Sequence, residues 1–132
     1  MTGETDLDKM LATLKPRLLD GDYVFCSLKD AEPDTVLRLQ PLASYREDEG
    51  LSLLLLQQHA DNEAFEYHGV FRGITLSVHS SLEAVGLTAA VSTRLAAAGI
   101  PANMIAGHYH DHVFVPVDKA EQALQVLREF AA

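Results

Sequence analysis

The fold is decided by residues 74–116, which read ITLSVHSSLEAVGLTAAVSTRLAAAGIPANMIAGHYHDHVFVP. At its start Ile74, Leu76 and Val78 alternate with polar residues, a pattern typical of a strand with one buried face. From Ala84 onward small and apolar residues recur at helical spacing instead. They form one stripe: Ala84, Leu87, Thr88, Val91, Leu95 and Ala98. The change of period predicts a strand followed by an amphipathic helix.

This helix has a stop signal in the run Gly99-Ile100-Pro101. Gly99 can adopt the left-handed conformation, Ile100 can pack back on the helix, and Pro101 prevents its continuation. Two strands are predicted next, over 102–108 and 112–116. An amphipathic helix over 117–130 closes the chain, because its apolar residues again keep helical register.

The first half of the chain repeats this order less regularly. A short helix is predicted at the start, with Thr5 and Asp8 as a capping box, and YVFCSL (Tyr23–Leu28) reads as a strand. Residues 29–41, which contain two prolines, are expected to be loop with at most one turn of helix. Strands are predicted over 43–47 and 51–57 around the turn EDEG, and a short helix over 59–65.

Two halves with one element order indicate a duplicated module. We expect an α+β fold of two ferredoxin-like βαββαβ units with antiparallel sheets and helices packed on one face. The N-terminal module spans 1–68 and the C-terminal module 69–132. The C-terminal copy lacks a fourth strand, so we expect the sheet edge of a partner to supply it or to cover the gap, with a homodimer as the assembly.

Composition excludes several classes of function. The chain has 132 residues, with 10 basic and 19 acidic side chains and a net charge of −9, which disfavours nucleic acid and anionic membranes as partners. The single cysteine, Cys26, cannot form an internal disulfide. The acidic N-terminus and the short apolar runs predict a soluble cytoplasmic protein. The absence of GxSxG, P-loop and CxxC motifs predicts that it is not an enzyme and has no cofactor.

Three histidines at every second position raise the question of a metal site. His108, His110 and His112 would share one face of an uninterrupted strand, with Asp111 beside them, and imidazoles so placed can bind zinc. The alternative is a structural or ligand-contacting role, or a pH-sensitive interface. We predict no metal site.

The stretch 74–116 resembles the ACT-domain superfamily, small ferredoxin-like modules that bind amino acids and regulate enzymes. More closely, the chain is similar to stand-alone bacterial tandem-ACT proteins, which resemble the ACT pairs of cytosolic arginine sensors and of aspartate kinases. REDEG with LSLLLL, in the first half, resembles the first module of that family, and there the turn Arg46–Glu49 is a solvated hairpin or a second wall of the ligand site. The resemblance also implies that the turn between the last two strands falls close to residues 109–111, so that the histidines diverge.

The resemblance implies a ligand loop between the first strand and first helix, where the family often has an acid, any residue, proline and glycine. Here the loop reads Glu83-Ala84-Val85-Gly86. The amides of Gly86 and Leu87 can donate to a carboxylate at the helix N-terminus, and Glu83 can meet an ammonium group. Alternatively, Ser80-x-x-Glu83 is a capping box that needs no ligand.

The family's second contact follows the helix-ending glycine and isoleucine, which implies a ligand role for Asn103. An asparagine amide both donates and accepts, but it also commonly bonds its own backbone in a turn. Ile105, His110 and Asp111 complete the expected ligand contacts. The leading hypothesis is a regulatory sensor of a small amino acid or related zwitterion, acting on a partner enzyme. A ligand-free assembly subunit and a histidine-rich metal-binding protein are the alternatives.

Overall fold

The computed structural model describes residues 6–78 and 85–131, and its elements follow one another in a regular order. They are α1 (Leu7–Ala12), β1 (Pro16–Leu18), β2 (Tyr23–Leu28), α2 (Pro33–Leu39), β3 (Ala43–Glu47), β4 (Gly50–Leu56), α3 (Gln57–Asn62), β5 (Phe71–Leu76), α4 (Leu87–Ala97), β6 (Asn103–Ala106), β7 (Asp111–Pro116) and α5 (Ala120–Arg128). Short 3₁₀ turns, Val117–Lys119 and Glu129–Ala131, flank α5.

The chain divides into two compact units. The terminal unit comprises the described residues of Met1–Asp20 and Arg72–Ala132, and the inserted unit is Gly21–Phe71. The chain passes from the inserted unit into the terminal unit between residues 71 and 72, whereas the sequence places the module boundary between 68 and 69. The α+β fold of two ferredoxin-like modules with antiparallel pairing is confirmed.

The sheet of the terminal unit has the order β1-β5-β7-β6. β1 is antiparallel to β5, with Pro16 opposite Leu76 and Leu18 opposite Ile74. The C-terminal copy contributes three of these strands, and the fourth, for which the sequence leads us to expect the sheet edge of a partner, is β1 of the same chain. β1 takes the fourth position because the pairing satisfies backbone groups that an open edge of β5 would leave unpaired.

The core of the terminal unit lies between this sheet and its helices. Leu87, Val91 and Leu95 form the buried stripe of α4. They pack with apolar residues of β5, β7 and α5, among them Ile74, Leu76, Val113, Val115, Ala123 and Leu127. Each fully buried aliphatic side chain of this kind contributes about 1.5–3 kcal/mol. The predicted helical face is confirmed for these three residues, whereas Thr88 is exposed.

The end of α4 is stabilised as the sequence predicts. Gly99 has a φ of +74°, and its amide donates to the carbonyl of Ala96 at 2.9 Å. The amide of Ile100 donates to the carbonyl of Leu95 at 2.9 Å, and Ile100 is buried. These two bonds define a Schellman motif, which fixes where the chain leaves the helix.

The inserted unit has the sheet order β3-β4-β2, and Tyr23 of β2 also pairs with Phe71. Its buried residues include Val24, Cys26, Leu39, Leu53, Leu55 and Ala60. The prediction of loop over 29–41 is wrong, because Pro33–Leu39 is helical. Proline is compatible with the first helical position, where its missing N–H has no partner to lose.

α1 also differs in detail from the prediction. Its N-cap is Asp6, whose carboxylate accepts a hydrogen bond from the Lys9 amide at 3.2 Å. Thr5 of the predicted capping box lies outside the described residues. Within 6–78 and 85–131, no helix has both the length and the apolar character needed to span a membrane.

Candidate ligand-binding site

Two rows of residues across the sheet of the terminal unit fix where each candidate contact lies. The Thr75 hydroxyl is 3.0 Å from Nδ1 of His112, and a Cβ placed on Gly73 would lie 2.7 Å from the Phe114 ring, so β5 and β7 run antiparallel. Leu76 therefore lies level with Asp111, which pairs with Ala106 of β6. We call this end of the strands, where β5 and β6 end and β7 begins, the loop edge.

The second row lies at the other end of the strands. Leu19 donates its amide to the Gly73 carbonyl at 2.8 Å, Gly73 faces Phe114, and Phe114 pairs with Asn103. Three residues along a strand separate this row from the loop edge, a distance of about 10 Å. Asn103 therefore lies at the opposite end of the strands from Asp111.

Gly86 begins α4 in a conformation that favours glycine. Its φ is +103°, and its carbonyl accepts the first helical hydrogen bond from the Ala90 amide at 2.8 Å. A Cβ at this position would lie 2.9 Å from Cδ2 of Leu7. Val85 is 84% exposed, whereas Leu87 is in the core. Glu83 and Ala84 of the predicted loop lie outside the described residues.

A groove opens beside Gly86 along the outer face of α4, with a volume of about 520 Å³. Small residues form its floor, namely Ala89, Ala90, Thr93 and Ala97, while Leu7 and Phe130 form its walls. The guanidinium of Arg94 lies 4.4 Å from the centre of the Phe130 ring. A volume in this range accommodates a small metabolite.

Asn103 has its side-chain nitrogen occupied. Nδ2 donates to the carbonyl of Phe114 at 3.1 Å, across the strand pair rather than to its own backbone. Because α4 is 11 residues long and ends shortly before Asn103, a helix of about 16 Å separates Gly86 from the level of Asn103. One small ligand cannot contact both residues of the same terminal unit. Ile105, half-buried, pairs with His112.

The three histidines lie at a turn between β6 and β7 rather than on one uninterrupted strand, and we call residues 107–112 the histidine hairpin. The amide of Gly107 donates to the His110 carbonyl at 2.9 Å, which leaves His108 and Tyr109 at the tip. The turn lies slightly earlier than the resemblance implies. Across 6–78 and 85–131, no group of three or more His, Cys, Asp or Glu side chains is arranged to hold a metal ion.

Among the described residues of the terminal unit, two titratable groups with shifted pKa values lie on the hairpin, Asp111 and His112. Burial raises the pKa of the Asp111 carboxyl, an effect that His112 and His110 oppose. Burial lowers the pKa of His112, with further lowering by His110 and Arg17 and opposition from Asp111. Nδ1 of His110 is buried without a hydrogen-bond partner among the described residues. Of the expected contacts, the structure thus places Asp111 and His110 at the loop edge and Asn103 away from it.

Sequence patterns miss two residues of this edge. Thr75, 3% exposed, is the buried polar residue that bonds His112, and Arg17 of β1 lies opposite Thr75 in the strand register. Both occupy the polar positions of their strands. A signal for Thr75 exists in the alternation Ile74-Thr75-Leu76, which places it on the sheet face opposite the helices. No local signal identifies Arg17, since β1 is only three residues long.

Comparison with known proteins identifies the family. Two ACT-domain models match the chain, one over residues 2–72 and the other over 71–129. The protein belongs to the ACT-domain family and contains two such domains in tandem. A comparison with curated proteins found no match.

Several solved structures are similar. A Vibrio cholerae protein of unknown function, described as a possible transport protein, is 52% identical, with 96% of each chain covered and a TM-score of 0.88. An Agrobacterium tumefaciens protein is 18% identical over 89% of each chain, with a TM-score of 0.73. The ligand-free regulatory subunit of aspartate kinase from Thermus thermophilus is 8% identical, with 92% of this chain and 99% of that chain covered and a TM-score of 0.60. At such low identity, the last two similarities show a shared fold.

Proposed function

We propose that this protein is a regulatory sensor that binds a small amino acid or related zwitterion and acts without catalysing a reaction. Its membership of the ACT-domain family supports a small-molecule regulatory role, as does the fold it shares with the regulatory subunit of aspartate kinase. The proposal includes a cytoplasmic location, a homodimer and a partner enzyme as the regulated target.

One observation carries the proposal: α4 begins at a glycine in the left-handed conformation, beside an exposed residue and at the mouth of a groove. The first amides of a helix have no intrahelical acceptor, and the helix dipole favours an anion there. In this arrangement the amides of Gly86 and Leu87 receive the ligand carboxylate. Glu83 and Ala84 belong to the same proposed loop, with Glu83 as the partner of the ammonium group.

The remaining contacts divide according to their place in the sheet. His110 and Asp111 lie at the loop edge and are proposed to act with Gly86 of the same chain. Asn103 begins the edge strand β6, and the distance along α4 excludes a ligand that it shares with Gly86 within one unit, whereas Ile105 pairs with His112 next to the loop edge. We therefore propose that Ile105 acts with His110 and Asp111, and that a second copy of the chain contributes Asn103, which makes the homodimer part of the site.

Isothermal titration calorimetry against the twenty amino acids tests the proposal, with two glycine variants as a matched pair. Gly86→Ala and Gly99→Ala each put a side chain at a positive φ, of 103° and 74°, at opposite ends of the same helix. Only the methyl group at Gly86 also meets a neighbour at the proposed site, since nothing lies within 4 Å of one at Gly99.

We expect at least one amino acid to bind the wild-type protein at millimolar or lower concentration. The methyl group of Gly86→Ala should shift the backbone and move the amide away from the ligand carboxylate. Binding should weaken by roughly 10- to 100-fold, because a hydrogen bond to a charged group contributes about 1.5–3 kcal/mol. Gly99→Ala should bind as the wild type does. The proposal fails if no amino acid binds, or if the two variants weaken binding equally.

The assembly subunit is a second candidate, and the position of β6 favours it. β6 ends the strand order of the sheet and pairs with β7 on one side. An edge strand presents backbone groups to which another chain can add. Static light scattering of the ligand-free protein distinguishes the two functions: a stable complex with an enzyme subunit, unaffected by any amino acid, would favour assembly over sensing.

A further inference from the structure

The side chain of His112 joins two strands at the loop edge. Nδ1 lies 3.0 Å from the hydroxyl of Thr75, so the ring bridges β7 to β5. Nε2 of the same ring would lie 3.4 Å from a Cβ at Gly107, which shows that the ring packs against a residue with no side chain. Thr75 is 3% exposed, so the hydroxyl depends on this imidazole for its bond.

Protonation of the His112 ring is unfavourable while the ring is bonded to Thr75, whichever tautomer is present. If the hydroxyl of Thr75 donates to Nδ1, the imidazolium loses that acceptor. If Nδ1 donates instead, protonation adds an N–H at Nε2, beside the backbone of Gly107. In both cases a charge enters a partly buried site, where desolvation disfavours it.

The neighbouring charges reinforce this preference. On β1, Arg17 lies opposite Thr75 in the register, and on the hairpin His110 holds a buried Nδ1 without a described partner. Asp111 is the opposing charge, and its attraction to an imidazolium offsets part of the repulsion.

The other titratable groups near the hairpin have different neighbours. His108 lies at the hairpin tip against Tyr109, with ring centroids 4.8 Å apart. β6 carries no titratable side chain, and Arg72 of β5 directs its guanidinium to the Leu19 carbonyl, at 2.8 Å.

We infer that His112 is a proton-operated latch, which holds the histidine hairpin closed against β5 when neutral and releases it when protonated. Opening of the hairpin changes the conformation of the loop edge, the end of the sheet from which the chain continues towards Gly86. The bond that forms the latch, between His112 and Thr75, uses neither of the hairpin residues proposed to contact the ligand, His110 and Asp111. It makes the conformation of the loop edge sensitive to acid.

The sign of the effect follows from the direction of the shift. Burial lowers the pKa of His112 below its ordinary 6.5, so the closed hairpin binds fewer protons than the open one. The closed form is fully favoured above pH 6.5 and loses this advantage as the pH falls from 6.5 towards the lower pKa of the closed ring. Across the whole transition the ratio of open to closed forms rises by about a factor of ten for each pH unit by which the two pKa values differ.

Amide hydrogen exchange measured by NMR at pH 7.5 and 5.5, corrected for the intrinsic pH dependence of exchange, tests the latch. In the wild type, protection of the amides of residues 107–112 should fall on acidification, while the core amides of α4 keep theirs. His112→Asn, whose amide can still bond Thr75, should keep the hairpin protected at both values. His68→Asn, at an exposed histidine of the inserted unit, is the matched control and should behave as the wild type.

A second variant keeps the histidine and removes its partner. Thr75→Val preserves the shape of the side chain without the hydroxyl. It should expose the hairpin amides already at pH 7.5, and the NMR titration of the His112 ring should move towards the ordinary value. Unchanged protection between the two pH values in the wild type would overturn the latch, as would acid opening that persists in His112→Asn or a Thr75→Val hairpin as protected as the wild type.

Discussion

Replacing Gly73 by alanine puts a methyl group where the Phe114 ring already lies. The new Cβ would lie 2.7 and 2.8 Å from two ring carbons and 3.0 Å from Cδ1 of Leu19. Phe114 is 1% exposed, so its ring has no solvent-filled space into which to turn. The contact would join three strands, because Gly73 is on β5, Phe114 on β7 and Leu19 follows β1.

Two opposing effects set the size of the change. A glycine in a strand loses more backbone entropy on folding than alanine does, so the substitution alone would stabilise by about 0.5–1 kcal/mol. Overpacking a filled interior costs about 1–3 kcal/mol. The overpacking wins, and we expect a net loss of roughly 1–2 kcal/mol, which lowers the melting temperature by about 4–8 °C for a chain of this size.

Thermal and urea unfolding, followed by circular dichroism, measure this loss. Phe114→Leu provides the control through a double-mutant cycle, because the smaller side chain makes room for the methyl group. In the Phe114→Leu background, Gly73→Ala should cost less than in the wild type, or stabilise. The strand arrangement is refuted if Gly73→Ala alone is as stable as the wild type or more so.

Three further predictions concern stability. Leu95→Ala, at 0% exposure in the core of the terminal unit, should cost about 2–5 kcal/mol in urea unfolding, whereas Leu37→Ala, at 77% exposure on α2, should cost under about 0.5; equal costs would contradict the assigned core. Amides of β1 at Leu19 and, one repeat away, at Arg17 point to β5, so Arg17→Pro should lose about 1–3 kcal/mol and Arg17→Ala little, and similar melting temperatures for both would disprove the pairing of β1. Burial raises the pKa of Asp111, so the folded state favours the protonated carboxyl group at acid pH, and this contribution to stability is lost as the pH rises and the buried group becomes charged. Asp111→Asn should therefore raise the melting temperature at pH 8 but not at pH 3.5, and a destabilised variant at pH 8 would contradict this.

Local patterns predict the parts of the fold whose causes are local. Tyr23–Leu28 is a strand with the bounds its aromatic and β-branched residues indicate, and the sequence Gly99-Ile100-Pro101 ends α4 through a Schellman motif. The interactions that produce these features come from residues within a few positions of one another. Sequence alone therefore contains enough to identify them.

β1 and α2 show why the rest was missed. β1 is a three-residue strand whose pairing residues on β5 lie far along the chain, so its formation depends on the folded unit rather than on its own pattern. α2 begins with Pro33, a residue that interrupts helices everywhere except in their first turn. In both cases position within the fold reverses the local preference.

The candidate site divides in the same way. The start of α4 at Gly86, where a ligand loop is proposed, is recognisable in sequence because a glycine precedes a helical stripe there. The separation of Gly86 from Asn103 is not, since it depends on the direction of α4 and on β7 lying between β5 and β6. The bond between Thr75 and His112 likewise requires the strand register.

An amide chemical-shift titration of the protein labelled with nitrogen-15, with each of the twenty amino acids added in turn, tests the sensor directly. The account predicts that at least one amino acid shifts the amides of Gly86 and Leu87 in a saturable way. If no amino acid shifts them, or if saturable shifts occur only in the inserted unit, the proposed ligand-binding function of the terminal unit is contradicted.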